Sequence, residues 1–345
     1  MTEQSKVSRN ASASAFGWEF QVNAAMVLFI KHINDATNLK VEGKHDDIEI
    51  ELVDGNVIYA QAKARANNEP GSGSTSRLDG ALATLADDAQ AGNYHSLIYV
   101  TNDDYPFGKD HAVSILQGGG TLKFDELPPE VQKYVTEKGA KYKIDEKAYK
   151  AMEVSVIGYF GQDRDTRHKH IRRAIRDFLS RLSLHTRPDI DDGHLRDQWG
   201  LMLRENAEIS EAKVSVSKED FIWPMVVMLC NINSDDKYFN DYDEDIASDI
   251  LREYRSTIDY QSQKFEFVTK VYSSFDSFKK DHEGNPSQLR EKYVSAYWEN
   301  YIDELGLGEV NDAETKELVA KLIVGKVLKR KSIVESIKDG VNLDS

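Results

Sequence analysis

Cysteine is nearly missing from this chain. Cys230 is the single one in 345 residues. A lone thiol excludes an internal disulfide framework and a cysteine-rich zinc centre, and it fits a reducing compartment. Positive charge is also short, with 44 Lys and Arg against 59 Asp and Glu, for a net charge of −15. A uniformly acidic surface repels nucleic acid, so any contact with it has to run through local basic patches. No apolar run approaches the ~20 residues of a membrane helix. The polar opening MTEQSKVSRNASASA lacks the apolar stretch of a signal peptide. Residues 1–13 therefore read as a flexible tail, and the expectation is a soluble, cytoplasmic protein. No P-loop, glycine-rich dinucleotide turn or nucleophile elbow is present, so any ATP hydrolysis belongs to a partner. Internal repeats are absent too. Forty per cent hydrophobic residues suffice for real cores, and the length suggests two or three domains.

What is there begins with a helical stripe from Phe16 to His32, carried by Phe16, Phe20, Val27 and Ile30 and widened by Met26, Phe29 and Ile33. A short strand is expected over Leu39 to Glu42. The stretch HDDIEIELVDGNVIYAQAKAR, residues 45–65, then alternates as a β-hairpin. A loop rich in small residues leads to a helix from about 78 to 91, and YHSLIYVTN at 94–102 reads as a buried strand. Helix, three strands, helix and strand make an α/β unit with a mixed sheet.

The hairpin's register follows from its apolar positions, because a one-residue slip sends every side chain to the wrong face. Pairing Leu52 with Ile58, Ile50 with Ala60 and Ile48 with Ala62 leaves Asp54-Gly55-Asn56 as the loop. It sets Asp47 opposite Lys63 and Glu49 opposite Gln61. Taken alone, that face reads as a cross-strand ion pair on a solvated surface.

The order of elements changes this reading. An acid opening the second strand, Asp47, with Gln61-Ala62-Lys63 on the third, resembles the PD-(D/E)xK nuclease superfamily, with glutamine in place of the second acid. The stretches FGWEFQVNAA, EGKHDDIEIE, QAKAR and LIYVTND resemble the nuclease domain of bacterial anti-phage effectors, including nucleotide-activated endonucleases and the nuclease subunit of Lamassu systems. The similarity covers roughly residues 14–105. VIGYFGQDRDTRHKHIRRAI and SKEDFIWPMVVML resemble the helical region of effectors that work beside an SMC-like ATPase.

The resemblance implies a restriction-endonuclease-like domain followed by a mainly helical one, with 14–105 as the nuclease core, 106–160 as its connector or extension, and 161–345 as a helical partner-binding or oligomerisation region. It implies a metal-dependent endonuclease on double-stranded DNA, serving defence against phage or plasmid and held in check by partner subunits or self-assembly. The expected partners are an SMC-like ATPase subunit and a further defence-complex subunit, with a homo-oligomer when active and no membrane. The expected cofactor is Mg²⁺ or Mn²⁺. Its ligands would be Asp47, the side-chain oxygen of Gln61, the Ala62 carbonyl and Glu19, with Glu42, Asp46 and Glu49 as further candidates. Mg²⁺ prefers oxygen ligands and keeps several waters. Lys63 would orient or deprotonate the water or stabilise phosphate charge. Two other readings stand beside this one, a stand-alone restriction enzyme for modified DNA and a non-catalytic adaptor that kept the fold.

Downstream, RDTRHKHIRRAIRDFLSRL at 164–182 is the most basic segment. Arg167, Lys169, Arg172 and Arg173, with Arg65 beyond Lys63, are the candidates for gripping DNA phosphates; a solvated face or an acidic partner's contact serves them equally. The acidic DDKYFNDYDEDIASD at 235–249 lacks the spacing and glycine of a calcium loop. Helices are expected at 219–232, 243–257 and 284–304. Tyr293, Tyr297, Trp298 and Tyr301 form an aromatic stripe suited to core packing.

Overall fold

The computed structural model describes residues 3–65, 75–161, 163–182, 184, 191–209, 215–229, 237–240 and 244–343, and the side chains of these except 3–12, 229, 237, 244 and 265. Cys230 and residues 235–236 and 241–243 of the acidic run lie outside the described residues. The chain divides into two units, Met1–Pro224 with Gly340–Ser345, and Met225–Asp339.

The first unit opens with α1 (Glu3–His32). The helix therefore starts well before Phe16 and takes in most of the expected tail. No proline or glycine interrupts residues 3–16, so nothing stops propagation toward the amino end. The stretch Ala13–His32 is long and apolar enough to cross a membrane by length and composition, against the expectation that no run reaches that length. Here it is a core helix: Phe20, Val22, Ala24, Ala25, Met26, Leu28 and Phe29 are all buried. A helix that is apolar nearly all round needs cover on several sides.

The sheet follows, from β1 (Ala36–Val41), β2 (Ile48–Leu52), β3 (Val57–Lys63), α2 (Ser76–Ala91), β4 (Tyr94–Thr101), β5 (Gly120–Lys123), α3 (Pro129–Gly139), α4 (Glu146–Lys150), β6 (Met152–Val156), α5 (Arg164–Arg181), α6 (Asp192–Glu208) and β7 (Val216–Ser217). Its order is β5-β6-β4-β3-β2-β1-β7. The β3–β4 and β4–β6 ladders are parallel and the others antiparallel. This is a mixed seven-stranded sheet. Segment 106–160 is more than a connector, since it contributes β5 and β6. The expected boundary at 160 falls inside this unit: α5 and α6 pack on α1, α6 also packs on β1, and β7 extends the sheet beside β1.

Successive strand residues face opposite sides. Val57, Tyr59, Leu97 and Tyr99 share a core with Leu78, Leu82 and Leu85 of α2, which puts α2 over the face that also carries Gln61 and Lys63. The other face belongs to Ile58, Ala60, Ile98 and Val100, all fully buried, and α1 packs against β1, β2 and β3. With helices over the sheet, the Asp47–Lys63 face is not the solvated surface that the hairpin alone suggests.

The hairpin's register differs from expectation by two residues. Ile48 pairs with Ala60, Glu49 with Tyr59 and Ile50 with Ile58. A slip of two keeps every side chain on its proper face, so the hydrophobic pattern cannot distinguish the two pairings. The loop decides: Leu52 exchanges backbone bonds with Gly55 and Asn56, Asp54 accepts the Asn56 N–H, and Gly55 takes φ +81°. The loop is therefore Val53-Asp54-Gly55, and the ladder, continued one step, sets Asp47 beside Gln61 rather than Lys63.

The second unit holds α8 (Glu244–Gln261), α9 (Phe265–Asp281), α10 (Pro286–Tyr297) and most of α11 (Ala313–Val341), after α7 (Lys218–Leu229) has crossed the division. Leu318, Val319, Ala320, Leu322, Ile323 and Val324 of α11 are fully buried, so it is this unit's central helix. Tyr293 and Tyr301 lie in the same core, their hydroxyls 2.5 Å apart, with Tyr297 stacked on Tyr293. The aromatic stripe is core packing.

Candidate active site

The site is built at the entry to β2. After β1 the chain turns through Glu42 to Asp47, closed by Glu42 N–H to the Asp47 carbonyl at 2.8 Å and Gly43 N–H to the Asp46 carbonyl at 3.0 Å. Glu42 adopts φ +53°, a conformation that non-glycine residues rarely hold without surrounding support. Glu49 braces the turn from within, accepting the backbone N–H groups of His45 and Asp46. Its carboxyl fills the space beside Gly43, where an added Cβ would collide with the Glu49 carboxyl. Glu49 is thus committed to the turn, and His45 is a loop residue whose ring meets Tyr59 edge-on.

Asp47 is the centre. Its Oδ2 accepts the Ala62 N–H at 2.9 Å and the Gln61 side-chain amide. Burial holds its carboxyl above the usual aspartate range; the Lys63 charge and these hydrogen bonds pull the other way, and nearby Glu42 adds to the upward push. Lys63 runs under α2, where a Cβ at Gly80 would meet its Cε at 3.9 Å. The structure thus brings Asp47, Gln61, Ala62 and Lys63 together. Two expected roles change. Gln61, 3 % exposed, gives its amide N–H to Asp47, where its side-chain oxygen was expected to meet a metal. The observed Ala62 contribution is its N–H, not its carbonyl.

Glu19 does not join them. Its carboxylate binds His168 at 3.1 Å and Arg167 at 3.4 Å, and the His168 hydrogen bond leads in lowering its pKa to about 2. The reason is helical phase. The residue that reaches Asp47 from α1 is Gln21, whose Nε2 donates to Glu42 Oε1 at 2.9 Å and to the Asp47 carbonyl at 3.0 Å. Residues two apart on a helix project about 200° apart, so Glu19 points to α5 instead. Glu42, one of the further ligand candidates, is tied to the site by this amide. Gln21 itself was missed. Its signal was a glutamine inside the most apolar part of α1, where a buried polar side chain needs a partner.

Asp46 has a different neighbour. It is 5 % exposed and faces Asp88 of α2, 1 % exposed. Among the described residues the Oδ2 atoms of both lack a hydrogen-bond partner, and burial pushes both carboxyls upward, each also acting on the other. Two buried neighbouring acids disfavour both being charged, which favours a proton on the pair. Asp46 also accepts the Asp47 N–H at 2.7 Å, so the pair supports Asp47 from behind.

Most of the basic helix is spoken for. Arg167 pairs with Glu19, Arg172 and Arg176 with Asp192, and Arg164 with Asp197. Arg173 lies 3.9 Å from Asp177 in an exposed i,i+4 pair, and Lys169 is exposed. As a continuous phosphate grip, the α5 face is largely neutralised from within. Arg65 faces Asp103 at 3.7 Å.

No three His, Cys, Asp or Glu side chains converge as a metal cage among the described residues. That does not disqualify Mg²⁺, which commonly takes one or two carboxylates and completes its shell with water and substrate phosphate. Asp47 is a desolvated acid whose carboxyl the Glu42 charge pushes further upward, and a divalent cation bound there would relieve both effects. Comparison with protein-family models, curated proteins and solved structures finds no match for this chain.

Proposed function

We propose that the protein is a metal-dependent endonuclease of double-stranded DNA, with a restriction-endonuclease-like fold in its sheet-bearing unit. One observation carries the reading. Asp47 is held by Gln61 and Ala62 of the strand that ends in Lys63, and Glu42 stands beside it. A surface ion pair needs neither the desolvated acid nor the second carboxylate.

In this reading Asp47 and Glu42 hold Mg²⁺ or Mn²⁺. The cation supplies charge stabilisation at the phosphate and a more acidic water. Gln61 keeps Asp47 oriented. Lys63 places a positive charge where the phosphate oxygens or the attacking water would sit. The sequence resemblance extends the proposal: an anti-phage or anti-plasmid effector of the Lamassu kind, acting in the cytoplasm with an SMC-like ATPase subunit and a further subunit, and restrained by assembly until needed. The helical unit Met225–Asp339 is the natural seat of that control.

The commitment of the Gln61 amide to Asp47 favours one rival, a non-catalytic adaptor on the same fold. The deciding experiment is cleavage of linear and circular duplex DNA by purified protein in Mg²⁺ or EDTA, wild type against Lys63→Ala, with the partner subunits present in a parallel series. Metal-dependent cutting that the variant loses supports the nuclease. Phage protection that survives Lys63→Ala would establish the adaptor.

A further inference from the structure

The carboxyl end of β3 gathers cations that the proposed chemistry does not use. Arg65 lies two residues beyond Lys63. Arg77, in the first turn of α2, donates Nε to the Ala64 carbonyl at 3.2 Å, which brings its guanidinium to the residue directly after Lys63. Both guanidiniums face one acid: Arg65 and Arg77 each stand 3.7 Å from Asp103 Oδ2. That carboxylate is 8 % exposed, against 11 % for Arg65 and 28 % for Arg77. Asn102 fixes the backbone beneath them, accepting the Arg65 N–H at 2.7 Å and donating to the Arg65 carbonyl at 2.9 Å.

Several features of this group suit a phosphate. A guanidinium carries five N–H donors in a planar fork. Arg77 spends one on Ala64, and its distance to Asp103 exceeds a hydrogen bond, so Asp103 aims the fork without saturating it. Among the described residues, two guanidiniums converge on one carboxylate beside Lys63, in a chain whose overall charge is −15. An acidic protein that binds a polyanion needs a local patch of this kind, and the α5 arginines are mostly paired elsewhere.

We infer that Arg77, aimed together with Arg65 by Asp103, is a positioning residue that grips a backbone phosphate of the DNA strand next to the one at Lys63. The inference rests on the nuclease reading. It adds a residue from a different element, α2, and makes the register of the strand depend on the β3–α2 junction.

The test measures binding of the full-length protein to a fluorescent duplex in EDTA, where no strand is cut, over a range of salt. Loss of one phosphate contact lowers the slope of log affinity against log salt by about 0.9. Arg77→Ala is expected to bind more weakly with that shallower slope, and Arg77→Lys to recover the slope while losing part of the affinity, since it keeps the charge but not the fork. Asp103→Asn keeps the oxygen that accepts the Tyr105 N–H and removes the charge facing both arginines, so it is expected to tighten binding; this arm carries the test if Arg77→Ala fails to fold. Wild-type affinity and slope in Arg77→Ala, or unchanged or weaker binding in Asp103→Asn, would overturn the inference alone, provided wild type cuts DNA through Lys63. A wild-type protein that neither cuts nor binds duplex DNA would bring down the nuclease reading and this inference with it.

Discussion

Gln21 is the residue whose removal most directly probes how the candidate site is assembled. Its single amide nitrogen reaches both the Glu42 carboxylate and the Asp47 carbonyl, tying α1 to the turn that presents both acids. Gln21→Met keeps the volume of a 7 % exposed side chain and deletes both bonds. A hydrogen bond to a charged group contributes about 1.5–3 kcal/mol and a neutral one about 1. Glu42 is exposed, so the lower ends apply, and the expected loss of stability is about 2 kcal/mol. The larger effect falls on the cation. Glu42 in its left-handed conformation depends on outside support, and losing a partner that orients a ligand costs about 10–100-fold in metal affinity. The assay is DNA cleavage titrated with Mg²⁺, alongside a thermal melt. Half-maximal activity should need at least about tenfold more Mg²⁺, with the rate at saturation largely recovered, because Asp47 and Lys63 are untouched. A folded variant with an unchanged Mg²⁺ requirement would refute the argument that Gln21 holds Glu42 for the metal.

Glu19→Gln separates the α5 contact from the site. The folded pKa lies near 2 against 4.5 for the free group, so this carboxylate stabilises the fold above about pH 4.5, and that contribution is lost as pH falls toward 2. The ceiling is about 3 kcal/mol, reduced by screening at a side chain 28 % exposed; wild type should lose more stability than Glu19→Gln across that acid window, while the Mg²⁺ dependence of cutting stays the same. Asp46→Asn runs the other way. The raised carboxyls of the Asp46–Asp88 pair hold protons that the unfolded chain has released, so wild-type stability falls as pH rises above about 4; an amide donating to Asp88 removes the need, and melts at pH 5 and 8 should show the variant gaining on wild type by at least about 1.4 kcal/mol, the worth of one pKa unit. Asn102→Asp should destabilise more than Asn102→Ala in urea melts, because a buried carboxylate would face the Arg65 and Tyr159 carbonyls that the amide now serves, at a cost above the roughly 1–3 kcal/mol of leaving a buried partner unsatisfied.

The alternation of Ile48, Ile50 and Leu52 with Asp47 and Glu49 was legible because sheet faces have a period of two, and it located β2 and β3 correctly. The same period hid the register, since a two-residue slide preserves every face and only the Gly55 turn fixes it. Asp47 and Lys63 were singled out because an acid opening the second strand and a lysine ending the third match the element order of the resemblance; their face alone read as a solvated ion pair. Glu19 was misassigned and Gln21 overlooked for one shared reason: helical phase fixes which residues lie together, but not which of two faces meets the hairpin. The sheet's outer strands β5 and β7 have 4 and 2 residues, too few for any alternation to register. The extension of the first unit to Pro224 was equally invisible, because α5 and α6 are amphipathic helices that look the same whether they cover a sheet or form a bundle.

The carboxyl ends of the parallel strands explain why the polar groups collect where they do. Residues at that end of β3, β4 and β6 have left the ladder, so their backbone groups need other partners, and in open α/β sheets this edge is where ligands bind. Asn102, just beyond β4, answers that need for both neighbours: it closes two bonds with Arg65 after β3 and donates to the Tyr159 carbonyl after β6 at 2.8 Å. Tyr159 packs against Phe16 and Phe20 of α1, the helix that also sends Gln21 to Glu42 and Asp47. One side of the candidate site is therefore fixed by a strand-end amide, linked to α1 through Tyr159, and the other by an amide of α1 itself, both buried. A displacement of α1 would disturb together the turn that presents the acids and the Tyr159 packing next to the cations.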